Sequence, residues 1–551
     1  MKLKVNWNKR IFIFAIILAL FRTGSMLFYM NDLKYSDSAL GIEMICGITV
    51  LRFIFYLVLF YEGMMWIDRK ISSVNVPQTT QNTPNNSSKI LLKDYMVYAI
   101  AWMIPLLIKY PGAIQWDTWA LFEEFRTGNI TTFHSVFYMV IMGNLVGVFE
   151  SLGYPNFGLY LFVFLHYLVY VLIFGYSVNV LRKIGASDKS VFIYRLITIF
   201  NPYIMGYIGV AIKDTVFALY IMGVCILMAE YYWTVNNQAE GDIFKPYKFV
   251  FMATMMVLAC LTRKNGIYIF ALTFLILLVI YLKKKSDRMI ILTYLIAIVA
   301  YCVLSFGLNH YYQAAPGSIR EAFSLPFQQT ARYAKMYDDE VTDEEREAID
   351  GVLSYEKIRE RYNPRISDPV KGKYKENKAA LPAYFKVWLK QFFKHPMCYV
   401  AATWEQNYYM FVPEAEVENI ALFQDIDNGY ELGEHVIISE QTDMYEDIFS
   451  VPDRLKKYQQ WIVDWFYELG HLPIVGYVWN LSVSVYALFI IQWIFSNYFS
   501  GKDYSLLPMW GSLLSAIAGP AIQGHPRYLF MIMYSIPFFT IYAIVNSKKK
   551  A

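Results

Sequence analysis

Apolar runs of about twenty residues recur along this chain, and each is the length a helix needs to cross a bilayer. They lie at 11–30, 40–66, 93–110, 156–181, 191–209, 214–233, 248–262, 266–283, 289–308, 472–497, 504–523 and 526–546. A further run at 133–150 is ambiguous. The expectation is an all-α polytopic membrane protein with about twelve transmembrane helices. Composition agrees: 57% of the residues are hydrophobic and 18% aromatic, the latter suited to lipid-facing and interfacial surfaces. The net charge of +4 is spread over clusters that flank the runs, which gives no reason to expect a nucleic-acid partner.

Those clusters predict an orientation, because lysine and arginine gather on the cytoplasmic side of membrane proteins. Lys2, Lys4, Lys9 and Arg10 precede the first run, and Arg69 and Lys70 follow the second. Arg182, Lys183 and Lys189, then Lys283, Lys284, Lys285 and Arg288, and finally Lys548, Lys549 and Lys550 complete the set. All fall on one side if 133–150 lies in the outer interface without crossing; an ordinary crossing with a weak charge bias is the alternative. Both termini are then cytoplasmic, and the outer face holds 31–39, 110–155, 210–213, 263–265, 524–525 and the polar segment 309–471.

Four regions follow. Residues 1–92 carry two helices and a Ser-, Asn-, Gln- and Pro-rich stretch, 71–89, read as a disordered cytoplasmic linker. Residues 93–308 form the transmembrane core with its outer loop 110–155, residues 309–471 the extracytoplasmic segment, and 472–551 the last transmembrane helices. Within the outer segment, Tyr384, Phe385, Trp388, Leu389, Phe392 and Phe393 fall on one helical stripe and Lys386, Lys390 and Lys394 on another. That pattern predicts an interfacial helix, ended by His395-Pro396. Of five cysteines only Cys398 lies in the outer segment, so that segment has no internal disulfide, and no zinc-type spacing occurs. The run 11–30 lacks a small-residue cleavage site and reads as a retained helix.

Chemistry-bearing residues concentrate on the outer side. Asp117 stands between Trp116 and Trp119, where desolvation would raise its pKa toward a general base's range. The alternative is an exposed or capping carboxylate. Lys213 and Asp214 open the run 214–233, where an ionisable pair is costly unless used or hydrated. Asp214 suits a second carboxylate or, with Asp117, a divalent-ion ligand; capping and snorkelling are the plainer roles. Arg263 and Lys264 run against the charge bias of an outer loop, which anion binding would explain. Gln328 and Gln329 can meet sugar hydroxyls and Arg332 a phosphate. His525, Arg527 and Tyr528, before the last run, suit a charged head group, and His134 can align a substrate. Phosphate-binding glycine loops, the Gly-x-Ser-x-Gly elbow and the His-Glu-x-x-His motif are all missing, so ATP-driven transport and serine or zinc hydrolysis lose support.

In its order of parts from Tyr110 onward the chain resembles the GT-C glycosyltransferase superfamily, which includes protein O-mannosyltransferases, the aminoarabinose transferase and oligosaccharyltransferases. More closely, it looks like bacterial multi-pass proteins of that superfamily. The shared order is an acid in the first outer loop, a His-headed apolar run, a second acid at the mouth of a later helix and a large outer segment before the last crossings. The resemblance implies a GT-C-like bundle in which Asp117 matches the first acid and Asp214 the second. It implies an inverting transfer from a polyprenyl-phosphate-linked sugar donor to a glycan, lipid or protein acceptor. Outer-face cations would hold the donor phosphate. Two departures stand out: Ser135 follows His134 where proline is frequent, and Asp117 lacks an adjacent acid. A glycan polymerase, a flippase or transporter for lipid-linked sugars, and a scaffold whose charges only cap helices are the alternatives. Arg22 and Arg52, the only charges deep in apolar runs, make a poor pathway for transport.

Overall fold

The computed structural model describes residues 8–33, 42–73, 87–237, 244–284, 287–418, 424–425, 430–431, 448–459, 461, 472, 475–499, 501–519 and 522–547. Residues 74–86, most of the stretch read as a linker, lie outside the described residues, as do Lys2, Lys4 and the three C-terminal lysines. The helices begin with α1 (Lys9–Leu33), α2 (Ile42–Ser72), α3 (Ser87–Ile108), α4 (Trp116–Thr127), α5 (Val136–Ser151) and α6 (Pro155–Lys183). Next come α7 (Asp188–Ile199), α8 (Pro202–Tyr207), α9 (Lys213–Asn237), α10 (Pro246–Thr262), α11 (Asn265–Lys284) and α12 (Arg288–Tyr311). The polar segment forms α13 (Ser324–Met336), α14 (Asp343–Asp350), α15 (Tyr355–Arg361), α16 (Asp368–Lys371), α17 (Leu381–Lys394), α18 (Pro396–Asn407) and α19 (Pro413–Glu418). The chain closes with α20 (Leu481–Tyr498), α21 (Leu507–Ala518) and α22 (Phe530–Ser547).

Eight described segments are long and apolar enough to cross a membrane: Lys9–Met30, Ile48–Ser72, Pro155–Lys183, Lys213–Asn237, Asn265–Lys283, Arg288–Tyr311, Leu481–Tyr498 and Pro526–Ser547. The protein is an all-α polytopic membrane protein, with eight such helices among the described residues where the runs suggested about twelve. The apolar helices α5, α10 and α21 are shorter. The run 191–209 is not one helix: the Asn201 side chain accepts from the amides of Tyr203 and Ile204 and starts α8, with Pro202 in its first turn. An Asn cap followed by proline begins a new helix and does not continue an old one.

Two compact units divide the chain, each discontinuous in sequence. The first comprises Met1–Ser73, Ser318–Glu416 and Leu514–His525. There α1 packs along α2 and meets α18, while Phe327, Tyr333, Leu353, Tyr355, Ile358, Tyr384 and Tyr399 form a core among α13–α18. Helix α17 contributes to that core. Tyr384 is fully buried, Phe385, Trp388 and Phe392 pack beside it, and Trp388 Nε1 donates to Gln329 Oε1 at 3.1 Å. Tyr384, Phe385, Trp388 and Phe392 of the aromatic stripe therefore face protein, while Leu389 and Phe393 of the same stripe stay exposed. Arg22, in the middle of α1, is buried against Glu414 and the Phe411 carbonyl, so its charge is paired.

The second unit comprises Val74–Gly317, Val417–Leu513 and Pro526–Ala551. Its axis is α9: 89% of that helix's apolar window is buried, against 28% for α11 and for α12. Helices α6, α10 and α22 pack around it. A helix apolar on all sides and enclosed by others is a core helix, so polar groups at its ends are conspicuous.

Candidate functional site

Two short strands, β1 (Ala113–Ile114) and β2 (Val210–Ala211), set the site's geometry. They pair in parallel, Ala113 with Val210 and Ile114 with Ala211, and the Ala113 amide donates to the Gly209 carbonyl at 2.9 Å. Glycine is required on both sides. Gly112 has φ +123° and Gly209 φ +81°, and a Cβ on Gly112 would lie 3.1 Å from a Val163 methyl and 3.3 Å from the Gly209 carbonyl oxygen. Behind the pair, the Lys109 ammonium donates to the Met205 and Gly206 carbonyls. The ladder fixes where α4 and α9 begin relative to each other. Asp117 sits in the first turn of α4, and Lys213 and Asp214 in that of α9.

These turns meet two others within the second unit. The Arg527 Nη1 lies 3.2 Å from Asp117 Oδ2, and Lys213 Nζ lies 3.6 Å from the same oxygen. Lys213 Nζ is also 3.3 Å from His134 Nδ1. An ammonium has only hydrogens to give, so His134 accepts through Nδ1 and carries its proton on Nε2. Arg263, from the turn between α10 and α11, pairs with Asp214 and stacks 5.5 Å over the Tyr528 ring. Asp214 is almost wholly enclosed, with 2% of its side chain exposed, whereas Asp117 keeps 32%. Asp117 is therefore the acid a ligand can reach.

Electrostatics correct one expectation. Burial does push the Asp117 carboxyl up, but the Arg527 and Lys213 charges, with smaller help from His134 and Arg263, outweigh it and hold the group well below the usual carboxylate range. Asp117 is ionised and, as it stands, a weak base. Burial and then the Lys213 ammonium push His134 down to about 3, so its ring is neutral at physiological pH. Burial also lowers the Lys264 ammonium, with Glu124 opposing.

The structure brings Asp117, His134, Lys213, Asp214, Arg263, Arg527 and Tyr528 into one cluster. Gln328, Gln329, Arg332 and His525 belong to the first unit. Their groups are engaged there: Gln328 with the Asn363 carbonyl, Gln329 with Thr403 and Trp388, and Arg332 with Glu405 and Tyr362. The His525 carbonyl accepts from Tyr409. Three hydroxyls escaped the sequence reading. Thr118, Tyr138 and Tyr207 are buried, and their oxygens, with Arg527 Nε, make no well-aligned hydrogen bond among the described residues. Tyr138 adjoins Thr118 and feels the charge of Asp214, and Tyr207 adjoins Gln115 and feels that of Arg527. Tyr138 and Tyr207 lie inside apolar runs, where a hydroxyl carries no signal that separates a site from packing.

A divalent ion fits poorly here. Asp117 and Asp214 each face a guanidinium, and among the described residues no three His, Cys, Asp or Glu side chains converge. The cluster instead sets three cations, Lys213, Arg263 and Arg527, against two carboxylates, an imbalance that favours an anionic ligand. No curated protein and no solved structure matches the chain. Residues 121–551 match a family of unknown function, DUF6020, and that stretch takes in every member of the cluster except Asp117. The chain belongs to the DUF6020 family.

Proposed function

We propose that the protein is a GT-C-like membrane glycosyltransferase that moves a sugar from a polyprenyl-phosphate-linked donor to a hydroxyl of a cell-envelope glycan, lipid or protein on the outer face. The observation that carries this reading is Asp117, a reachable carboxylate shared by Arg527 and Lys213. The acceptor oxygen attacks the anomeric carbon, and its proton goes to Asp117. The bond between that carbon and the phosphate oxygen breaks with inversion, and the pair leaves on the phosphate. Negative charge grows on the leaving group, where Arg527, Lys213 and Arg263 stabilise it in poorly hydrated surroundings. A donor phosphate on Arg527 and Lys213 also competes for the cations that now suppress Asp117. Donor binding therefore strengthens the base when it is needed.

A carrier would need a polar path through the membrane. Residues 215–229 of α9, between Asp214 and the next acid at Glu230, contain no charge, which favours the enzyme over a flippase. A glycan polymerase would use the same step with a growing glycan as acceptor. The test is Asp117→Asn, assayed for transfer from a polyprenyl-phosphate sugar in membranes. A fall of about a hundred- to ten-thousand-fold is expected; turnover close to that of the unaltered protein would overturn the assignment.

A further inference from the structure

We propose that the corner between α17 and α18 is seated in the bilayer, its exposed apolar row packed against the acyl chains of the leaflet on the Met30 side. The row is Leu389, Phe393, Met397 and Val400, with 48%, 75%, 69% and 44% of their surfaces exposed. The steps of four, four and three residues keep these side chains on one side as the chain turns through His395 and Pro396. This row is distinct from the one that α17 buries in the core of its unit, which includes Tyr384 and Trp388. An exposed apolar row of this kind needs a partner.

Contacts within the first unit point to lipid as that partner. Phe21 stacks on Trp404 and Phe411, the Trp404 indole donates to Ser25 at 2.9 Å, and Arg22 pairs with Glu414 at 2.6 Å. All three α1 residues lie within the apolar span Lys9–Met30. At about 1.5 Å per residue, Arg22 is roughly 12 Å inward from Met30, well inside a hydrocarbon layer about 30 Å thick. The end of α18 therefore lies at membrane depth. Met397 precedes Trp404 by seven residues, at most roughly 10 Å along a helix, which brings the corner no farther out than the boundary layer. On α1 itself, Leu20 and Leu27 are also exposed, so the row continues a surface already suited to lipid. Lys390 and Lys394 pair with Glu345 and Glu340, so the charges beside the row are largely neutralised.

The test uses the full-length protein in phosphatidylcholine and phosphatidylglycerol vesicles. Cys46 and the exposed Cys302 are replaced by serine, and the buried cysteines are kept. A bimane label is placed at Phe393→Cys or Met397→Cys. Lys357→Cys in the exposed part of α15 serves as the aqueous control, and Val303→Cys, on the exposed side of the span α12, as the lipid control. Brominated acyl chains should quench the label at 393 and 397 about as strongly as at 303, and at least about twofold more than at 357. Quenching by aqueous iodide should run the opposite way. Strong iodide quenching without lipid quenching would overturn the proposal, as would shielding from both, which would point to a protein surface or a second copy over the row.

Discussion

The two ends of α9 carry the same kinds of side chain in opposite conditions. At one end Asp117 meets Lys213 and Arg527. At the other, Glu230 meets Lys183 at 3.0 Å, with Lys248 and the Tyr176 hydroxyl beside it. The Glu230 side chain is 1% exposed and all of its contacts are made, so that end clasps α6, α9 and α10. Around Asp117 a third of the acid is open, and Arg527 Nε and the hydroxyls of Thr118, Tyr138 and Tyr207 make no well-aligned hydrogen bond among the described residues. Charge alone does not mark a site. Unspent hydrogen-bonding capacity beside a reachable charge does, because leaving such groups buried and unpaired costs stability unless a ligand completes them.

That contrast can be broken by exchanging what the two ends lose. Asp117→Asn should cost most in activity, about a hundred- to ten-thousand-fold in transfer, and less in melting temperature than Glu230→Gln, because Asp117 keeps 32% of its side chain exposed where Glu230 keeps 1%. Glu230→Gln should do the reverse. It strands two lysines near a buried position, so a loss of about 3–5 kcal/mol is expected in denaturation of the detergent-solubilised protein. Transfer per folded molecule should hold; unaltered stability with lost transfer would make Glu230 part of the working site. Gly112→Ala should cost about 1–3 kcal/mol through backbone strain, and it should weaken transfer too, because the ladder positions Asp117. The remaining prediction is a pH dependence and concerns His134. Its folded pKa of about 3 is below the ordinary 6.5, so the unfolded chain binds more protons between those values. Stability is then full above about pH 6.5 and declines as pH falls toward 3. In His134→Asn that part of the pH dependence should flatten; an unchanged slope would show that the histidine is not what produces it.

The membrane class was legible in the lengths of the apolar runs; Asp117 stood out between two tryptophans, Lys213 and Asp214 because an ionisable pair at the mouth of such a run is costly, Arg263 against the charge bias of an outer loop, and Arg527 before the last run as a contact for a charged head group. Other features could not be read that way. An apolar stripe has the same period whether it meets lipid or protein, so the inward turn of Tyr384 and Trp388 was hidden. Arg22 looked like an isolated charge because its partner, Glu414, lies far along the chain. The pairing of Ala113 with Val210 involves two residues on each side, too few to produce an alternation. The depressed pKa of Asp117 depends on Arg527, brought close only by folding.

The ladder between β1 and β2 has a consequence for motion and for descent. Five helices, α4 to α8, lie between its two halves in sequence, yet the acid and the lysine are indexed to each other across a gap of a few residues. Loops among those helices can lengthen or drift in related chains without altering that index. If the surrounding helices rock, the paired strands will carry the first turns of α4 and α9, and with them Asp117 and Lys213, together.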